Sequence, residues 1–158
     1  MSRSRVKTTT MIIVFFDSRG IVYKEFVPPG QTFNYAFYKD VLEQLRKRVQ
    51  QVRTDIADDW VLHHDNMPAH IALSLREFLV NKNIPVLPHP PYSPDLALCD
   101  FYLLKGHHFG TIENIQQTVT DDLNTLTEND FRYCYDQWKI RWNRCVTSQG
   151  SYFEGDNL

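Results

Sequence analysis

Three aspartates stand where a metal-dependent chemistry could be built. Asp17 closes the apolar run Met11-Ile-Ile-Val-Phe-Phe-Asp17, and Asp65 closes Trp60-Val-Leu-His-His-Asp65. Asp100 follows the proline-rich stretch Pro90-Pro-Tyr-Ser-Pro-Asp-Leu-Ala-Leu-Cys-Asp100, with thirty-four residues between it and Asp65. A carboxylate at the end of a buried strand lies at a sheet edge, where a pocket can form. Several converging there make a hard-oxygen cage suited to Mg²⁺ or Mn²⁺. Two such ions about 4 Å apart can activate a water or hydroxyl and stabilise the leaving oxygen in phosphodiester cleavage. Each residue also has a plain structural alternative. Asp17 could start a turn, Asp65 could cap a helix and Asp100 could lie on the surface. Asp95, after the same prolines, competes with Asp100, and composition does not choose between them.

Other chemistries fit less well. His63, His64 and His70 cluster, and His107-His108 form a second pair. His63 and His64 point to opposite faces of a strand and cannot easily share one ion, which counts against zinc. Cys99 adjoins Asp100, but no histidine is placed to activate it as a nucleophile. The three cysteines include no CxxC pair, which fits neither a disulfide framework nor a zinc site. Cys134 and Cys145 read as core packing.

The elements that must position the aspartates follow from periodicity. Residues 11–17 and 21–27 read as two strands joined by the turn Ser18-Arg19-Gly20, a hairpin. Gln31–Asn34 allows a weak third strand after Pro28-Pro29-Gly30. Phe37, Val41, Leu45, Val49 and Val52 recur at helical spacing. Trp60–His64 reads as a fourth strand, and Asn66 with Pro68 as a helix start carrying Ile71, Leu75, Phe78 and Leu79. Asn81-Lys-Asn83 ends that helix, and Ile84–Leu87 reads as a fifth strand. Two helices follow: 113–126, with Ile115, Val119, Leu123 and Leu126 on one face, and 128–148, with Phe131, Tyr135, Trp138, Trp142 and Cys145. A hairpin followed by alternating strands and helices predicts an α/β fold, a mixed sheet flanked by helices.

The size, 158 residues with 42% hydrophobic, fits one domain with a real core. No apolar run approaches a membrane span, and no signal peptide is evident. The net charge of −2 hides an asymmetry. Residues 1–53 carry ten Lys/Arg against four Asp/Glu; residues 54–158 carry seven against fifteen. Arg3, Arg5, Lys7, Arg46, Lys47, Arg48 and Arg53 could form a basic face for nucleic acid, the alternative being a solvated helix face and a loose tail.

The segments His63-His-Asp-Asn-Met-Pro-Ala-His70 and Leu87-Pro-His-Pro-Pro-Tyr-Ser-Pro-Asp-Leu-Ala-Leu-Cys-Asp100 closely resemble the catalytic core of mariner-family transposases. That family's signature is two aspartates followed, after thirty-four residues, by a third. Phe15-Phe-Asp-Ser-Arg-Gly20 looks like its first acidic segment, and Glu25-Phe-Val-Pro-Pro-Gly-Gln-Thr32 like the stretch after it. Trp138–Arg141, Arg144, Cys145 and Gly150-Ser-Tyr-Phe-Glu-Gly155 are similar to its closing segment. The resemblance implies an RNase H-like fold, with a mixed five-stranded sheet flanked by helices and C-terminal helices over 11–158, after a basic tail at 1–10. It implies Asp17, Asp65 and Asp100 as catalytic and metal-binding residues, holding two Mg²⁺ or Mn²⁺ ions for DNA cleavage and strand transfer in the nucleus.

Departures from the family qualify the expectation. The paired helix-turn-helix units are missing ahead of the core, so DNA should be held through phosphates without specific inverted-repeat readout. A second copy of the chain is the other partner to expect, as a homodimer. The segment after Asp100 looks about two helical turns short, and Met67 and Leu98 replace residues that are usually alanine and proline. The expectation is therefore a degraded or truncated copy of a mariner-type transposase. The alternatives are a catalytically inert relic that binds DNA or intact transposase, or a piece of a transposase fused to a histone methyltransferase, with no methyl transfer of its own.

Overall fold

A computed structural model describes residues 11–64, 72–88 and 112–147. Asp65, Asp95 and Asp100 lie outside them, as do residues 1–10, Met67, Leu98, Cys99, His70, His107, His108 and the segment after Asp100. The order of elements is strand β1 (Ile12–Asp17), strand β2 (Gly20–Phe26), helix α1 (Tyr35–Val52), a single 3₁₀ turn (Thr54–Ile56), and helices α2 (Leu73–Asn81), α3 (Ile112–Thr125) and α4 (Glu128–Thr147). None of the described helices is long and apolar enough to cross a membrane.

β1 and β2 form an antiparallel hairpin whose register runs from Ile12↔Phe26 to Asp17↔Gly20. Phe15 faces Tyr23 while Phe16 faces Ile21, so Val22 is one residue too many. Such a bulge re-aims neighbouring side chains. Val22 and Tyr23 pack on one hydrophobic cluster, and Ile21 on another. The hairpin thus separates two cores. One gathers Tyr38, Leu42, Leu45 and Val49 of α1 with Leu62, Leu75, Phe78, Leu79 and Ile84. The other gathers Val119, Leu123 and Phe131 against Ile12, Val14, Phe16 and Phe26.

The start of α1 corrects the expected third strand. Gln31 N–H donates to the Pro28 carbonyl at 3.0 Å, closing a turn through Gly30, whose φ of +79° suits glycine. Asn34 then accepts from the Phe37 N–H at 2.9 Å and caps the helix. With those residues spent on a turn and a cap, Gln31–Asn34 forms no strand. The buried face of α1 is Tyr38, Val41, Leu42, Leu45 and Val49, one position round from the expected start at Phe37.

α2 ends in a Schellman motif. Asn83 takes φ +55°, its N–H donates to the Val80 carbonyl at 3.1 Å, and the Ile84 N–H donates to Leu79 at 2.9 Å. The sharp stop delivers the chain into a pairing with the segment after α1. Leu62 and Val86 form an isolated parallel bridge. Leu62 N–H donates to Pro85 at 2.9 Å and Leu87 N–H donates to Leu62 at 2.8 Å. These are the segments expected as the fourth and fifth strands, so among the described residues the regular sheet has two strands rather than five.

α4 opens with a reciprocal cap. Thr127 N–H donates to Asp130 Oδ2 at 2.8 Å while Asp130 N–H donates to Thr127 Oγ1 at 3.3 Å. Its buried residues are Phe131, Cys134 and Cys145. Tyr135, expected on the buried stripe, is exposed.

Candidate metal and nucleic-acid site

Asp17 sits at the hairpin turn, and its two oxygens are already engaged. Oδ1 accepts the N–H groups of Arg19 at 2.9 Å and Gly20 at 3.1 Å. Arg53, the C-cap of α1, clasps the same carboxylate from the side, Nε to Oδ2 at 2.7 Å and Nη2 to Oδ1 at 3.1 Å. Two parallel bonds of this kind are the strong geometry for an arginine–carboxylate pair. Arg53 also profits from its place at the negative end of the helix. Burial by itself would raise the Asp17 pKa. The Arg53 hydrogen bond, the Arg19 N–H, the Arg53 charge and the Gly20 N–H together outweigh it, and the carboxyl is held below its ordinary value. The arginine responds in kind, its pKa raised chiefly by the bond to Asp17.

This placement does not suit a metal ligand. A divalent cation at Asp17 would have to displace a bidentate guanidinium and sit beside a second, since Arg19 Nε lies 3.9 Å from Oδ2. Among the described residues, no group of three or more His, Cys, Asp or Glu is arranged to hold a metal ion. The turn-starting alternative for Asp17 is what the geometry displays, with the Arg53 clasp added.

The segment leading to Asp65 is built differently. Leu62 is fixed by the bridge and buried. His64 Nδ1 lies 3.0 Å from the Tyr38 hydroxyl, a hydrogen bond in either imidazole tautomer. Tyr38 is 1% exposed. Its ring packs on Phe15, centroids 6.5 Å apart, and edge-on to Phe33 at 5.8 Å. His63 meets Trp138 of α4 at 5.3 Å between ring centroids. Trp138 continues a ladder to Tyr135 at 5.7 Å and Trp142 at 5.4 Å. Periodicity flagged Trp138 only as packing and missed Tyr38 and Arg53. A tyrosine at a buried helical position is one signal that could have found the first, because its hydroxyl must meet a partner.

The expected basic face is partly consumed. Arg53 is bound to Asp17, and Arg46 pairs with Glu43 at 3.1 Å. Lys47 and Arg48 remain exposed on α1.

Comparison with known proteins places this scaffold. Residues 2–58 match a family model described as transposase (partial DDE domain). Over 163 residues the chain is 33% identical to the Mariner Mos1 transposase of Drosophila mauritiana, an alignment that takes in 96% of this chain and 47% of that protein. A crystal structure of the Mos1 catalytic domain superposes with a TM-score of 0.81 at 32% identity, covering 92% of this chain and 76% of that one. The chain belongs to the mariner family of transposases and corresponds to its catalytic domain. The Mos1 paired end complex with Mg matches with a TM-score of 0.85 at 31% identity, over 98% of this chain and 48% of that one. The histone-lysine N-methyltransferase SETMAR of Homo sapiens is 25% identical over 153 residues, 91% of this chain and 22% of that protein. The chain thus spans about half the length of the Mos1 protein and about a fifth of SETMAR.

Proposed function

We propose that this chain acts as a mariner-type catalytic domain for divalent-metal-dependent DNA cleavage and strand transfer in the nucleus. Asp65 and Asp100 are the carboxylates that would hold Mg²⁺ or Mn²⁺. The observation that carries this reading is the parallel Leu62–Val86 bridge. Parallel strands leave a sheet at the same edge, where open α/β folds gather their ligands. The chain leaving His64 begins with Asp65, and the chain leaving Leu87 leads to Asp100. The likeness to a Mos1 complex with Mg supports the same metal class.

Asp17 takes a structural part in this proposal, clasping Arg53. The cation, when bound, would stabilise charge on phosphate oxygens. The protein's own contribution is to hold the two carboxylates at one edge and to attract DNA phosphates through exposed bases such as Lys47 and Arg48. DNA, held at least in part through its phosphates, and a second copy of this chain are the partners proposed.

The test is Mn²⁺ binding and nicking of supercoiled plasmid by the 158-residue chain. Asp65→Asn or Asp100→Asn should lower nicking by on the order of a hundredfold or more, as even small ligand displacements do. Asp17→Asn should leave Mn²⁺ affinity unchanged. Equal Mn²⁺ binding by wild type and Asp65→Asn would overturn the assignment. The engagement of Asp17 by Arg53 favours a second reading, a catalytically inert copy that binds DNA or another transposase. Mn²⁺ binding without nicking would select it.

A further inference from the structure

We propose that the outer face of α2 is a self-complementary docking surface, on which a second copy of this chain seats its own α2 with the two helices running in the same direction. The proposal names the seat for the second copy put forward above and rests on that reading.

α2 carries apolar side chains on two opposite faces. Leu75, Phe78 and Leu79 are buried in the main cluster. Leu73 and Val80 lie on the far side, 72% and 73% exposed. They are seven residues apart, two helical turns to within about 20°, so they fall on one line along the helix. Arg76 and Glu77 flank that line, one on each side, and these four residues with Asn81 line one open groove. A single exposed leucine needs no explanation, but an aligned apolar pair framed by charges has the form of an interaction site.

The charges decide what fits. Arg76 and Glu77 are exposed, and neither makes an ion pair among the described residues. Successive residues on a helix do not face each other, so the two cannot neutralise one another. A second α2, related by a two-fold axis parallel to the helix, satisfies both the apolar line and the charges. Leu73 meets Leu73 of the second copy, and Val80 meets Val80. Arg76 on one flank faces Glu77 of the second copy, and symmetry makes the same contact again on the other flank. Antiparallel helices would instead set Arg76 beside Arg76 and Glu77 beside Glu77, like charges that repel. The surface thus fits a copy of itself and specifies the direction of approach. A helix of nine residues is about 13 Å long, and a contact of that length is smaller than a standard stable interface. The pairing is accordingly reversible, with dimer growing as concentration rises.

The experiment is sedimentation equilibrium of the 158-residue chain over a range of concentrations. Val80→Lys should weaken self-association by about tenfold or more, because it sets two ammonium groups together on the shared line. Arg76→Glu and Glu77→Arg should each weaken it as well, since either one makes all the facing charges alike. An equimolar mixture of those two variants should recover association through mixed dimers with both pairs restored. The double variant, Arg76→Glu with Glu77→Arg, should associate like wild type at the same net charge. All three positions are exposed, so urea midpoints should stay near that of wild type. Recovery in the mixture also rules out misfolding as the cause of the single-variant losses.

Unchanged association in Val80→Lys, or single variants whose mixture shows no recovery, would overturn the α2 surface and leave the second-copy reading in place. A wild-type chain that stays monomeric at every concentration would overturn that reading too, and leave the face to a different protein.

Discussion

Two chain ends were each expected to deliver a carboxylate, and they are held by opposite means. At the hairpin, Asp17 is the thing being held, its oxygens shared between Arg53 and the turn amides. At the Leu62 bridge, the held groups are the residues before the aspartate: a buried leucine and two imidazoles gripped by a tyrosine and a tryptophan. The first arrangement consumes the acid in tying a hairpin to the end of α1. The second spends hydrophobic and aromatic contacts on the residues ahead of Asp65, which itself lies outside the described residues. An aspartate at a strand end is therefore no guide to chemistry until its own oxygens are accounted for.

The largest effect should come from the bridge end. Leu62 is 4% exposed within the main cluster, so Leu62→Ala should destabilise the fold by about 2–4 kcal/mol, transfer and cavity contributions together. Urea unfolding measures it. A loss below about 1 kcal/mol, the level of a surface change, would mean that the bridge is peripheral and that the contrast with the hairpin is misdrawn.

The hairpin end should respond next. Asp17→Asn leaves the Arg53 guanidinium, whose side chain is 14% exposed, without its charge partner. Removing one member of a partly buried, hydrogen-bonded pair should cost about 1–3 kcal/mol. The pH dependence has a definite sign. The folded Asp17 pKa lies below its ordinary value. The carboxylate therefore contributes fully above the unfolded aspartate pKa of about 4, and the contribution is lost as pH falls through the lower folded value. Urea midpoints of wild type and Asp17→Asn should differ at pH 7 and converge in acid. A constant difference down to pH 2 would show that the ionised clasp is not the source of the stability.

Much of this was legible in the sequence, for reasons that differ by element. The hairpin was readable as two short apolar runs about a turn, and α1 because burial on one face imposes a period near four. The end of α2 was readable from Asn81-Lys-Asn83, since asparagine tolerates the left-handed turn that Asn83 adopts. The chain's family was readable because long motifs occur in order. The Arg53 clasp was not. It joins residues thirty-six apart through side-chain direction, which no periodicity encodes. The same holds for Tyr38 and His64, twenty-six apart. The third strand failed for a local reason, because Asn34 serves α1 as its cap. The α4 stripe was partly misread. Its buried line runs through Phe131 and Cys134, and the Cys134 thiol is pushed up to about 11 by burial while Tyr135 is exposed.

The smallest effect sharpens the hairpin side by separating two arginines that flank one acid. Arg19 reaches Asp55 with both terminal nitrogens at 3.2 Å, yet its side chain is 41% exposed and that of Asp55 61% exposed. Water competes for both partners, and two long side chains must be ordered to keep the pair. Exposed pairs of this kind contribute about 0–1 kcal/mol. The bond from Arg19 to Asp17 that shapes the turn comes from its backbone N–H, which any residue other than proline supplies. Arg19→Ala should therefore shift the urea midpoint barely, and Arg53→Ala, which strips the clasp itself, much more. Equal losses would mean that the turn is held by the summed positive charge around Asp17 rather than by the geometry of one guanidinium, and the contrast between the two chain ends would then rest on field strength instead of directed bonds.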